Sequence, residues 1–74
     1  MSDVELIELA EFELPFGRRA ILREAKFESG LTMVRLVLRE GTRITQIDLD
    51  DSSAAQLGAA LSAAATRISA NKQS

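Results

Sequence analysis

Cysteine, histidine, tryptophan and tyrosine are all absent from this 74-residue chain, and proline occurs once. Without cysteine there is no disulfide and no thiolate nucleophile. Without histidine there is no imidazole base, and without either the common zinc sites have no ligands. The missing tryptophan and tyrosine leave Phe12, Phe16 and Phe27 as the rings on which a nucleic-acid base can stack. Long apolar runs are missing too. Glu5, Glu8 and Glu11 interrupt the greasy N-terminus, so no stretch reaches the eighteen or so residues that a membrane span needs. No basic segment precedes those carboxylates, which argues against a signal peptide. The expectation is a cytoplasmic chain with no membrane contact.

What is present describes a folded domain. Apolar residues make up 46% of the chain and charged residues 27%, with nine basic against eleven acidic side chains. That is a globular composition, and the length allows a single domain over 1–74. At 8.1 kDa, area scaling gives about 11,700 Å² unfolded and about 4,500 Å² folded. With ~60% of the difference apolar, burial at ~25 cal/mol/Å² contributes about 110 kcal/mol. Ordering the chain at ~1.5 kcal/mol per residue costs about the same. A monomer therefore sits near zero net stability. The partner expected from this arithmetic is a second copy, in a homodimer, or another protein in a larger assembly.

The near-neutral total hides a segregated charge. Residues 1–17 carry Asp3, Glu5, Glu8, Glu11 and Glu13 with no cation. Residues 18–43 carry seven cations against three acids, and residues 44–74 two against three. Turn signals fall at Pro15-Phe16-Gly17, Glu28-Ser29-Gly30, Glu40-Gly41 and Asp50 to Ser53. Pro15 with Gly17 two later suits a type I turn. Between the turns lie segments with partial period-two alternation, which predict strands at about 4–14, 18–27, 31–39 and 43–49. If Glu40-Gly41 forms a two-residue hairpin loop, Val34 faces Ile47, Leu36 faces Thr45 and Val37 faces Ile44. In the first hairpin, pairing of Glu13 with Arg18, Glu8 with Arg23 and Glu5 with Lys26 explains the segregation as cross-strand complementarity. A competing reading makes residues 2–11 a helix, since Ser2-Asp3-Val4-Glu5 fits a capping box. The even-numbered alternation of Val4, Leu6, Ala10, Phe12 and Leu14 favours strand.

The last segment predicts a helix at about 51–70, followed by a frayed tail at 71–74. Asp50 or Asp51 can cap it, and Ser53 with Gln56 offers a further capping box. Ala54, Leu57, Leu61, Ala64, Ala65 and Ile68 share one face, which should cover the apolar side of the sheet. The opposite face, Ala55, Ala59, Ser62, Ala63 and Thr66, carries no charge. Small uncharged residues there suit a helix-to-helix contact with a second copy. The fold class expected is α+β, a four-stranded antiparallel meander with one C-terminal helix packed on it.

No catalytic residue, cofactor site or metal site emerges from these residue types. Asp48, Asp50 and Asp51 cluster at a strand-to-helix junction, but they lack the spacing of a calcium loop, and a helix N-terminus favours carboxylate caps over cations. Arg18-Arg19 beside the Pro-Phe-Gly turn reads as a solvated loop tip. A sheet carrying Arg23, Lys26, Arg35, Arg39 and Arg43 offers a track for a phosphate backbone. In Ala25-Lys26-Phe27, Leu38-Arg39-Glu40-Gly41, Ile47-Asp48-Leu49 and Gln56-Leu57, the span from about Arg23 to Ile68 resembles the transcriptional coactivator family that binds single-stranded DNA on a β-sheet. The resemblance implies an antiparallel sheet, a C-terminal helix, a helix-mediated dimer and a basic sheet face. The function expected first is a non-catalytic interaction or accessory protein. Its contacts are the uncharged helix face and an amphipathic sheet face of Met33, Arg35, Val37, Arg39 and Ile44. Single-stranded nucleic-acid binding through Arg23, Arg35, Arg39 and Arg43 is the alternative.

Overall fold

Four strands and one helix follow one another along the chain in the computed structural model, which describes residues 4–72. They are β1 (Val4–Leu14), a 3-10 turn (Pro15–Gly17), β2 (Arg18–Phe27), β3 (Thr32–Glu40), β4 (Arg43–Leu49) and α1 (Asp51–Lys72). The strands form one antiparallel sheet in the order β1-β2-β3-β4. The fold class is the expected α+β, with α1 packed on one face of an open sheet. Ser2 and Asp3 of the competing capping box, and Gln73 and Ser74 of the predicted tail, lie outside the described residues. From Val4 onward the N-terminal segment is strand.

The turns correct two expected registers. Gly41 has φ 60, the left-handed value that a type II′ turn requires at its first central position. The two-residue loop is therefore Gly41-Thr42 rather than Glu40-Gly41, and Glu40 pairs with Arg43. Every partner moves by two: Val34 faces Leu49, Leu36 faces Ile47, and Arg35 faces Asp48. In the first hairpin Glu8 does face Arg23 and Glu5 does face Lys26, but Glu13 faces Arg19 and Ala10 faces Leu22. The slip occurs between Glu8 and Ala10, where Leu9 forms a β-bulge. The bulge also breaks the parity of β1, so Val4 and Leu6 lie on one face of the sheet and Ala10, Phe12 and Leu14 on the other. The first turn differs as well. Phe16 has φ 66 and ψ 34, a left-handed conformation that a type I turn does not contain, and the residue is 89% exposed.

The register sorts the side chains into two faces. The helix side carries Phe12 and Leu14 of β1, Ala20 and Leu22 of β2, Val34, Leu36 and Leu38 of β3, and Ile47 and Leu49 of β4. The other side carries Ile21 and Val37, paired in register, with arginine rows on both sides of them. Ile21 and Val37 are each 5% exposed and Ala25 is fully buried, and with Ala20 they make up the buried core. Ile21, Ala25 and Val37 lie on the face away from the helix, which they share with Arg23 and Arg35, and Ala20 lies on the helix side.

Asp50 caps α1. Its Oδ1 accepts from the Ser53 backbone N–H at 2.7 Å, and its carbonyl accepts the first helical bond from Ala54 at 2.9 Å. The capping hydrogen bonds hold the Asp50 carboxyl below the usual carboxylate range. Gln56 bonds Ser52 rather than closing a box with Ser53. Through Ala54, Leu57, Gly58 and Leu61 the helix faces Phe12, Leu22, Leu36 and Leu49 across an apolar cleft of about 270 Å³. The expected cover is thus incomplete. At 1.5 Å per residue, 22 residues span about 33 Å, and only the first three turns approach the sheet. Ala64, Ala65 and Ile68 continue the stripe into solvent, and no residue of α1 is buried.

Candidate interaction surfaces

On the face away from the helix, charges run across the strands in rows. One row reads Glu8, Arg23, Arg35, Asp48 from β1 to β4. Two arginines directly opposite each other repel, and here each is met by an acid on its outer side. Arg35 donates to both oxygens of Asp48, at 2.8 and 3.1 Å, while Arg23 approaches Glu8 at 3.6 Å. The fork geometry is the strong form of the ion pair. It holds the Asp48 carboxyl below its ordinary value and raises the Arg35 guanidinium above its own, the mutual hydrogen bonds being the largest cause of each. Phe27 adds a ring 5.9 Å from the same guanidinium.

A second row reads Glu13, Arg19, Arg39, Ile44. Arg19 bonds Glu11 and reaches Glu13 at 3.4 Å. Arg39 faces Arg19 on one side and Ile44 on the other, and among the described residues no acid pairs with it. Arg18 is held by Glu40 at 2.8 Å and stacks on the Phe16 ring at 5.7 Å.

The sheet-face residues expected to bind a ligand are therefore divided. Arg23, Met33, Arg35, Val37, Arg39 and Ile44 do share a face. Val37 is buried and offers no contact surface, while Arg23 and Arg35 are engaged by carboxylates. Arg43 pairs with Glu40 in register and so lies on the helix side of the sheet, opposite in face to its neighbour Ile44 in either register. Asp48, the strongest partner on the open face, was missed because the turn sits one residue later than expected: the expected register put Gln46 opposite Arg35. On the helix, Ala55, Ala59, Ser62, Ala63 and Thr66 are exposed. Thr66 donates its hydroxyl to the Ser62 carbonyl at 3.1 Å.

The helix side is the larger unsatisfied surface. Phe12, Ile47, Leu57, Leu61 and Ile68 are all exposed there or on the helix stripe above it. The accessible surface is 5929 Å², against about 4,500 Å² for a compact monomer of this mass, a surplus of about 1,400 Å². The radius of gyration tells the same story, at 14.9 Å against about 11 Å for a compact chain of this length. No group of His, Cys, Asp or Glu among the described residues could hold a metal ion. No described helix is long and apolar enough to cross a membrane.

A model of the family of unknown function DUF6967 matches residues 3–67. No curated protein and no solved structure matches the chain.

Proposed function

We propose that this chain, which belongs to that family of unknown function, is a non-catalytic interaction protein that works as a homodimer. The observation that carries the reading is the surplus of about 1,400 Å² over a compact monomer. A stable protein–protein interface takes about 800 Å² from each partner, so the surplus supplies one. The exposed Phe12, Ile47, Leu57 and Leu61 lie where the helix fails to cover the sheet. The absence of histidine and cysteine supports a role carried by shape and surface. Engagement of Arg23 and Arg35 by Glu8 and Asp48 weighs against the nucleic-acid alternative, since a phosphate backbone would have to displace carboxylates already in place.

Sedimentation equilibrium across nanomolar to micromolar protein tests the reading. The expected result is a dimer that dissociates on dilution, and a monomer throughout that range overturns it. Ala59→Glu separates the two surfaces: if the outer helix face is the contact, the dimer dissociates with helicity unchanged.

A further inference from the structure

We propose that β4 is the seam of this homodimer, two copies joining β4 to β4 antiparallel about Gln46 to make one eight-stranded sheet. The inference rests on the homodimer reading and adds the surface that serves it.

The two edges of the sheet are built differently. β1 carries the bulge at Leu9 and four glutamates at positions 5, 8, 11 and 13, the devices by which an edge strand refuses a partner. β4 has no bulge and only two charges, Arg43 and Asp48. Its pairing with β3 is continuous, it contains no proline or lysine, and Ile44, Thr45 and Ile47 are β-branched. Its acid, Asp48, is committed to Arg35. Six of its seven residues are exposed. Such an edge is a template for a further strand.

Register follows from the turn. Glu40 and Arg43 flank a two-residue loop and so form a hydrogen-bonded pair. Alternation then turns the backbone N–H and C=O of Arg43, Thr45, Ile47 and Leu49 inward to β3, and those of Ile44, Gln46 and Asp48 outward. An antiparallel pairing centred on Gln46 is the one that engages all three outward residues of both strands. Ile44 then faces the partner's Asp48, and Gln46 faces the partner's Gln46.

That register also extends the second charge row toward an acid, one already forked to an arginine of its own chain. The row Glu13, Arg19, Arg39, Ile44 ends without an acid. Across the seam the next residue in the row is the partner's Asp48, on the same face as Arg39. The exposed Ile44 and Ile47 gain cross-strand neighbours in the same step. The two-fold axis runs perpendicular to the sheet, so both helices stand on one side of it.

Because the chain has no cysteine, a single introduced thiol reports the seam. Residues in a hydrogen-bonded antiparallel pair have Cα atoms about 5.5 Å apart, within the range a disulfide bridges. The expected result is that Gln46→Cys oxidises to a covalent dimer of unchanged circular dichroism, while Ala59→Cys does not. Gln46→Lys, which sets two cations face to face across the axis, should raise the dimer dissociation constant roughly tenfold or more. If the wild-type chain sediments as a dimer but Ala59→Cys crosslinks and Gln46→Cys does not, or Gln46→Lys leaves the constant unchanged, the β4 seam is overturned and the dimer stands. If the wild-type chain is a monomer, both readings fall.

Discussion

The Arg35–Asp48 fork lends itself to a quantitative test, because the sheet contains its own control in the Arg23–Glu8 pair of the same row. Asp48→Asn keeps the shape and removes the charge. The fork makes two short hydrogen bonds, with the arginine side chain 14% exposed and the aspartate 29%. Net contributions of hydrogen bonds to charged groups run at about 1.5–3 kcal/mol, and largely exposed pairs at about 0–1 kcal/mol. Partial exposure places the expected loss near 1.5 kcal/mol. For a domain of this size that lowers Tm by about 10 °C. The Arg23–Glu8 contact, at 3.6 Å with the glutamate 55% exposed, should yield only a few tenths of a kcal/mol on Glu8→Gln. Urea titration of both variants, and of the double-mutant cycle with Arg35→Met, at two protein concentrations separates the pair from any effect on assembly. Acid supplies a second signature. The folded state holds the Asp48 carboxyl below its ordinary value, so the stabilisation is fully present above the unfolded value of ~3.9. It disappears as pH falls through the lower folded value, where wild type and Asp48→Asn converge. Equal losses in Asp48→Asn and Glu8→Gln, or a gap that persists in acid, would refute the reasoning.

Two further expectations concern the backbone. Phe16→Gly should stabilise the chain by roughly 0.5–1 kcal/mol, since glycine adopts the left-handed turn freely and the ring is nearly all in solvent. A loss in urea titration would show that the ring's contact with Arg18 outweighs the backbone cost. Gly58→Ala should also stabilise, by about 1 kcal/mol from helix propensity. A Cβ built there meets nothing within 4 Å and would project toward the apolar cleft. A lower melting temperature instead would mean that something in solution approaches Gly58 closely.

Much of the architecture was legible in the sequence, because alternation and turn residues act locally. Val34, Leu36 and Leu38 declare a face by their spacing, Gly41 marks a hairpin, and the run from Ala54 to Ile68 declares a helix. The failures are all of register and contact. Nothing in the alternation of Val4, Leu6, Ala10, Phe12 and Leu14 announces an extra residue at Leu9, because a bulge preserves composition and alters only parity. One residue of error in the β3–β4 turn moved every partner by two, which kept every face right and concealed the Arg35–Asp48 fork. The helix stripe was readable, but how far it rests on the sheet depends on the angle at which α1 leaves Asp50, and no side-chain pattern encodes that angle.

The bulge at Leu9 has a consequence for chain length. Glu8 already pairs with Arg23, and Ala10 with the adjacent Leu22, so deleting Leu9 closes the gap and leaves every cross-strand partner in place. Deleting a neighbour such as Phe12 would instead push the residues on one side of the gap onto opposite faces, exchanging glutamates for apolar side chains beneath the helix. Position 9 is thus where β1 can shorten by one residue while its pairing with β2 is preserved.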